Sequence, residues 1–155
     1  TFGGTADERG NAVAPTRDGG YIIAGRTFSF GAGLLDMYLV KTDAAGNLVW
    51  QKTLGGTSSD EACAVAQTAD GGYVVAGFTD SYGAGNFDAC LVKTDASGNL
   101  KWQKTYGGDQ DDGANCLTIG TDGGFILAGW TSSFGHGGDD LYLLRTDSLG
   151  NLTGN

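Results

Sequence analysis

Carboxylates are the residues of this chain that could most readily do chemistry. The sequence holds 18 Asp and Glu against 9 Lys and Arg, which gives a formal net charge of −9. The densest acidic segments contain Asp60, Glu61, Asp109, Asp111 and Asp112. Oxygen ligands suit Ca²⁺, but aspartates that cap turns on a solvated acidic face give the same composition. No segment has an EF-hand or nonapeptide calcium pattern, so the solvated face is favoured and a Ca²⁺ site is the alternative.

Other catalytic constellations are missing from the sequence. It has one His and three Cys, and no nucleophile elbow, phosphate-binding loop or Cys/His metal set. Carboxylates that merely repeat offer no pair whose pKa values are set apart, as acid–base work requires. A glycosidase or lyase-type enzyme is therefore the last-ranked function. The acidic balance disfavours nucleic acid as a partner, and no apolar run reaches the roughly 18 residues of a membrane span.

The elements that must position these side chains are repeated three times. Residues 1–52, 53–104 and 105–155 align without internal gaps at a spacing of 52 residues, and the motifs DGGYIIAG, DGGYVVAG and DGGFILAG recur in register. In the second unit we expect strands over residues 62–67, 73–78, 88–94 and 100–105. A long loop over residues 79–87 separates the second and third of them. Asp-Gly and Gly-Asn turns between β-branched and aromatic runs indicate hairpins.

Four antiparallel strands in about 50 residues are typical of one blade of a β-propeller. The second strand of each unit is apolar on both faces, as expected for a sheet that is covered on both sides. The sequence therefore predicts an all-β fold, a β-propeller with three four-stranded antiparallel blades in a single domain over residues 1–155.

The turn before the last strand carries a family resemblance. TDAAGNLVWQK and TDASGNLKWQK, at residues 42–52 and 94–104, resemble the tryptophan-docking segment of PQQ-type β-propellers. The whole unit resembles β-propeller repeats of bacterial and archaeal secreted and cell-surface proteins. The resemblance implies an extracellular or cell-surface location and a structural role for Trp50 and Trp102, which would pack against a neighbouring blade. In the third unit Gly154 stands where the tryptophan would be.

Three blades do not close a ring, because known propellers typically have four to eight. Two blade faces would remain as large apolar patches. A second copy joined head to tail would complete a six-bladed ring with twofold symmetry, and we expect this homodimer. The alternatives are a ring of another size, or a larger propeller of which this chain is a part.

Two further sets of residues recur at equivalent positions in the units. Three aspartates at the start of the third strand are expected to make turn or inter-strand hydrogen bonds, and three more belong to the hairpin before the last strand. The first set is Asp36, Asp88 and Asp140, and the hairpin set is Asp43, Asp95 and Asp147.

Aromatic residues accompany the long loops. They are Phe30, Tyr82 and Phe134, with Trp130 at the exit of a second strand. Aromatics that pack the loop onto the blade are the favoured interpretation, and sugar pockets between blades, formed with Asp36, Asp88 and Asp140, are the alternative. The expected function is therefore a non-catalytic structural or interaction module. The alternative is a multivalent lectin-like carbohydrate binder with equivalent pockets.

Overall fold

The protein is all-β. A computed structural model describes residues 1–153, and Gly154 and Asn155 lie outside the described residues. Within residues 1–153 there are eleven strands and no helix. The strands are β1 (Glu8–Pro15), β2 (Tyr21–Thr27), β3 (Asp36–Thr42), β4 (Leu48–Leu54), β5 (Asp60–Gln67), β6 (Tyr73–Thr79), β7 (Asp88–Thr94), β8 (Leu100–Tyr106), β9 (Asp112–Ile119), β10 (Phe125–Thr131) and β11 (Asp140–Thr146).

The strands form three antiparallel sheets, one for each sequence unit. Sheet 1 has the order β1-β2-β3-β4, sheet 2 has β5-β6-β7-β8, and sheet 3 has β9-β10-β11. Neighbouring strands in a sheet are also adjacent in sequence. Tight Asp-Gly-Gly turns join the first and second strands, tight Asp-x-x-Gly-Asn turns join the third and fourth, and the long loop joins the second and third. Gly77 faces a bulge in β5, and a side chain there would overlap the carbonyl oxygen of Glu61. The same close approach to a backbone carbonyl occurs at Gly25 and Gly129, which explains the glycine at the centre of each second strand.

The third sheet differs from the sequence-based prediction. Four strands were predicted for each unit, the fourth of the third unit over residues 151–155. Leu152 makes an isolated bridge with Thr146, and the part of the prediction on Gly154 and Asn155 lies outside the described residues. Sheet 3 is therefore three-stranded within the described residues.

The sheets stack face to face with sheet 2 in the middle. One core cluster joins sheets 1 and 2, with Leu39 and Val75 among its buried members. A second joins sheets 2 and 3, with Leu91 and Leu127 among its members. Strands β3 and β7 are both buried along their whole length, and sheet 2 is covered by a neighbouring sheet on each face. The two-sided apolar character of the central strands thus comes from stacking.

The two end faces of the stack are not covered by another sheet. The exposed residues on the end face of sheet 3 correspond to one side of an internal interface, and those on the end face of sheet 1 correspond to the other side. Leu39 in sheet 1 and Leu91 in sheet 2 are 0% exposed, whereas the equivalent Leu143 of sheet 3 is 64% exposed. In the opposite direction, Tyr73 of sheet 2 is 2% exposed while the equivalent Tyr21 of sheet 1 is 43% exposed. Each end thus presents part of the surface that the internal interfaces bury, although Tyr38 and Val40 on the end face of sheet 1 are only 6% and 3% exposed.

Candidate functional site

The aspartates at the start of the third strands hold the long loops. A carboxylate oxygen of Asp36 accepts a hydrogen bond from the amide of Gly33 at 3.0 Å, and Asp88 accepts one from Ala84 at 3.0 Å. In the third unit the amide of His136 donates to the carboxylate at 2.8 Å. All three carboxylates therefore accept a backbone hydrogen bond from their own long loop, from three residues earlier in the first unit and from four residues earlier in the other two.

The loop is shaped to bring its backbone onto this carboxylate. Gly83 has φ +117°, and a side chain at this position would overlap the Asp88 carboxylate. Gly31 and Gly135 repeat this arrangement. Because only glycine tolerates both the positive φ and the close contact, the aspartate and this glycine act together as one capping unit.

A second set of carboxylates holds the links between units. The Asp60 carboxylate accepts hydrogen bonds from the Gly56 amide at 2.9 Å and the Ser81 hydroxyl at 2.7 Å, and also from the Thr79 hydroxyl. Asp112 accepts equivalent bonds from Gly108 and Ser133, and Glu8 replaces aspartate in the first unit. Hydrogen bonds, with Ser29 foremost, hold the pKa of Glu8 below its usual value. These groups are occupied in fastening the link to the end of the second strand.

The two sets of carboxylates meet at the inter-sheet interfaces. A side chain on Gly107 would overlap oxygens of both Asp88 and Asp112, and Gly55 stands in the same way between Asp36 and Asp60. Burial raises the pKa of Asp88, and the negative charge of Asp112 adds to the effect. One oxygen of Asp112 is buried without a hydrogen-bond partner. Each interface therefore encloses two close carboxylates with a glycine Cα between them.

The five residues predicted as a calcium site do not converge. Glu61 is in an ion pair with Arg26 at 2.6 Å, and Asp111 accepts a hydrogen bond from the Phe87 amide at 3.3 Å. Asp109 is exposed on the link. Asp60 and Asp112 belong to different interfaces, as described above. Among the described residues no group of three or more acidic, His or Cys side chains is placed to hold a metal ion.

The loop aromatics pack against the link that precedes their own sheet and remain partly exposed. The rings of Phe30, Tyr82 and Phe134 lie near Gly4, Gly56 and Gly108 respectively. Phe30 also packs on Tyr38, with ring centroids 5.8 Å apart, and Phe134 packs on Tyr142 at the same distance. Trp130 lies instead on Gly113 of the adjacent strand. The three loop rings form one repeated row on the rim, which Trp130 does not join.

The middle unit departs from this pattern. Cys90 occupies the position of Tyr38 and Tyr142, so Tyr82 has no ring to pack on in its own sheet. A cavity of about 10 Å³ lies there, lined by Tyr82, Cys90, Asp60 and neighbouring residues. That volume suits about one water molecule. Burial raises the pKa of the Cys90 thiol well above its usual value, so the thiol is protonated and unreactive.

The tryptophans of the fourth strands bridge neighbouring sheets. The Trp50 ring packs edge-on against Tyr73 of sheet 2, with centroids 5.7 Å apart, and Trp102 packs against Phe125 of sheet 3 at 6.1 Å. Each indole also lies beneath a turn glycine of the next sheet. A Cβ added to Gly98 would lie 2.8 Å from the Trp50 ring. We call the aromatic residue and the turn glycine that receive an indole a tryptophan dock.

The turn of each dock is built by an aspartate. Asp95 accepts hydrogen bonds from the amides of Ser97 and Asn99, both at 2.9 Å, and from the Asn99 side chain at 3.0 Å. The Asn99 side chain is the main cause of the lowered pKa of Asp95. Asp43 and Asp147 make the same contacts in their own turns. These bonds hold the following glycine at a positive φ, +77° at Gly98.

The corresponding dock on sheet 1 is open. It consists of Tyr21, equivalent to Tyr73, and Gly46, equivalent to Gly98. Gly46 has φ +83°, and a side chain at this position would meet no atom within 4 Å. Tyr21 and Gly46 are therefore arranged as in the filled docks, but no tryptophan of the described residues packs on them.

Sequence reasoning missed the ion pairs beneath the Asp-Gly-Gly turns. Lys93 is nearly buried and lies 2.9 Å from Asp70, and Lys41 pairs with Asp18 at 2.9 Å. Hydrogen bonds from Thr68 and then Lys93 lower the pKa of Asp70 to about 2. The signal in the sequence is the spacing, because each lysine follows its turn aspartate by 23 residues.

Comparison with known proteins gives a partial similarity. No protein-family model matches the chain. It is similar to the regulatory protein FlaEY of Caulobacter vibrioides, with 29% identity over 114 residues. The match covers 65% of this chain and 12% of FlaEY. The chain thus spans a small part of that relative. Within residues 1–153, no helix has the length and apolar character that crossing a membrane requires.

Proposed function

We propose that this chain is a non-catalytic interaction module, a stack of three β-propeller blades whose open faces join further blades. Each sheet is one blade in this proposal. The carboxylates, aromatics and tryptophans described above all serve to fasten loops or to join sheets. In this proposal the repeated residues therefore stabilise the blades and the contacts between them, and they do not catalyse a reaction.

The observation that carries the proposal is the complementarity of the two ends. Leu141 and Leu143 on sheet 3 are 80% and 64% exposed, although their equivalents in sheets 1 and 2 are buried by the next sheet. Burying such side chains is worth roughly 1.5–3 kcal/mol each. Because sheet 1 presents the surface that would cover them, units can add head to tail at either end.

A second copy of the chain is the proposed source of those units. Two chains joined head to tail would form two interfaces, each between sheet 1 of one chain and sheet 3 of the other. All four end faces would then be buried, and the assembly would close as a six-bladed ring. We extend the proposal to a secreted or cell-surface setting, which rests on the resemblance of the repeats.

Light scattering over a concentration series tests the proposal. The expected result is a mass above 15.8 kDa that falls towards this value on dilution. Leu141→Glu should shift the equilibrium to single chains without unfolding them, because residue 141 is exposed in the single chain. A chain that stays at 15.8 kDa at all concentrations would contradict the proposal.

Carbohydrate binding is the second candidate function. The row formed by Phe30, Tyr82 and Phe134 supports it, since it gives three partly exposed rings at equivalent places on one rim. The cavity beneath Tyr82 has room for about one water molecule, so a sugar would stack on the exposed rings. Glycan-array binding that is lost in Phe134→Ala would favour this function, and an array without hits would contradict it.

A further inference from the structure

We propose that Trp130 on sheet 3 pairs with Arg9 of a second copy of the chain, in a cation–π contact that selects which sheets join at the open ends. The inference rests on the proposed function, because it names the residues that recognise the partner face in the head-to-tail ring. The argument for it comes from the polar contacts between sheets 1 and 2.

Sheets 1 and 2 are joined by a polar cluster near their first strands. Arg26 on β2 pairs with Glu61 on β5, and Nη1 and Oε2 lie 2.6 Å apart. The two side chains are 25% and 12% exposed, so the pair is largely removed from water. The Asn11 side chain also donates to Glu61 at 2.8 Å. The second residue of β5 therefore contacts the sixth residue of the second strand in the preceding sheet.

The same two positions are occupied differently between sheets 2 and 3. By the 52-residue repeat they hold Phe78 on β6 and Gly113 on β9, and neither residue carries a charge. Cys63 stands where Asn11 donates its hydrogen bonds in the first unit. The two internal interfaces thus differ at this point, one being charged and the other uncharged, and in each the facing residues suit each other.

The open faces of the chain hold Trp130 and Arg9 at these two positions. Trp130 is the sixth residue of β10, and Arg9 is the second residue of β1. Trp130 is half-buried and lies on Gly113 of its own sheet. Arg9 is exposed and is in no ion pair with another residue of 1–153. Indole is the best ring for a cation–π contact, and Arg is the cation most often found in one. A second copy would therefore bring a suitable partner to each residue.

The pair favours sheet 1 over the other sheets as the neighbour of sheet 3. A unit like the second would place Glu61 at Trp130, and the negative face of an aromatic ring repels a carboxylate. A unit like the third would place Gly113 there and would supply no cation. Only a unit like the first brings a guanidinium to the indole, so these positions direct the chain to a second copy of itself.

A hydrogen bond is expected beside this pair. In the chain, the Asn11 side chain donates to the carbonyl oxygen of Ala62 on the next sheet at 2.9 Å. Asn115 is the equivalent residue of sheet 3 and is exposed, and Gly10 is the equivalent of Ala62. The Asn115 amide can therefore donate to the Gly10 carbonyl oxygen of the second copy. Because the acceptor is a backbone group, this bond positions the two faces without selecting between units.

A charge exchange tests the pair in the whole chain. The dissociation constant of the dimer is measured by sedimentation over a concentration series. Arg9→Glu should weaken association by about tenfold or more, since it removes the cation and places a carboxylate at the indole. Trp130→Arg should also weaken it, because two guanidinium groups would face each other. The variant with both substitutions reproduces the pair of Arg26 and Glu61, and it should recover most of the lost affinity.

Two controls separate the pair from general effects of charge and folding. Arg9→Lys keeps the cation and should weaken association less than Arg9→Glu. Lys101→Glu makes the same change in net charge at an exposed residue of β8 and should leave the affinity unaltered. Arg9 and Lys101 are exposed, so their variants should fold as the unaltered chain does, which circular dichroism checks. Trp130→Arg should fold as well, since Arg26 holds the same place in sheet 1.

The outcomes separate this inference from the proposed function. Dimers whose dissociation constant is the same in Arg9→Glu, Trp130→Arg and the unaltered chain would overturn the pair and leave head-to-tail association intact. Weakening in both single variants without recovery in the double variant would show that the two residues do not meet, and an equal loss in Lys101→Glu would assign the effect to net charge. Either result would overturn the pair. A chain that stays single at every concentration would contradict the proposed function, and the inference with it.

Discussion

Replacing Gly98 by alanine should cost much more stability than replacing Gly46, although the two turns are nearly identical. Both glycines have φ near +80°, so either substitution costs about 1–2 kcal/mol for a left-handed non-glycine residue. A methyl on Gly98 also lies 2.8 Å from the Trp50 ring, whereas one on Gly46 meets nothing within 4 Å. Forcing such a contact costs typically about 1–3 kcal/mol. The difference between the variants should therefore be about 1–3 kcal/mol.

Urea denaturation followed by circular dichroism measures this difference. About 1 kcal/mol corresponds to a Tm shift of about 2–4 °C in a domain of this size, so thermal melts provide a second readout. The same pair of substitutions is then made in the Trp50→Ala background. Without the indole, Gly98→Ala should cost no more than Gly46→Ala, which gives a double-mutant cycle for the dock.

Two results would refute this reasoning. If both alanine variants lose the same stability while Trp50 is present, the indole does not restrict the turn at Gly98. If the difference persists after Trp50→Ala, its cause lies in the turn itself and not in the packing of neighbouring sheets.

Three further outcomes follow from the same contacts. Asp70→Asn should lower stability by about 1 kcal/mol or less at pH 7, since the carboxylate is largely exposed. The pKa of Asp70 is about 2 in the folded protein and about 4 in the unfolded chain. The stability lost in the variant should therefore disappear as the pH falls from about 4 to about 2. Gly83→Ala should destabilise more than Gly137→Ala in thermal melts, because both glycines have positive φ but only the first would overlap a carboxylate. Iodoacetamide should modify exposed Cys116 in the folded protein and leave buried Cys90 unmodified until unfolding.

Each of these has a clear contrary result. A stability difference for Asp70→Asn that persists below pH 2 would exclude the titrating carboxylate as its cause. Equal melting temperatures for the two glycine variants would show that the loop can move away from its aspartate. Rapid labelling of Cys90 in the native state would mean that the interface between sheets 1 and 2 opens readily.

The sequence was sufficient to predict the strands and the repeat. The predicted strands of the second unit agree with β5–β8 to within two residues, because tight turns and two-sided apolar runs are local signals. The fourth strand of sheet 3 was predicted from the period alone, and within the described residues only the bridge at Leu152 is present.

The roles of the acidic residues were harder to predict. Clustering in sequence suggested that Asp60 and Asp112 might share a cation, but their contacts come from Thr and Ser residues about 20 positions away. Such partners are set by strand register across a hairpin, which composition does not reveal. The repeat number predicted two uncovered blade faces, but it did not reveal that Tyr73 and Gly98 receive Trp50, since those contacts depend on how neighbouring sheets pack.

A mixing experiment tests the central claim, that the two end faces fit each other head to tail. Tyr21→Glu blocks one face and Leu141→Glu blocks the other, so each variant alone should remain at 15.8 kDa by light scattering. An equimolar mixture keeps one unaltered pair of faces and should form dimers. If Tyr21→Glu alone still dimerises, or if the mixture stays monomeric under conditions in which the unaltered chain associates, the faces do not join in this way.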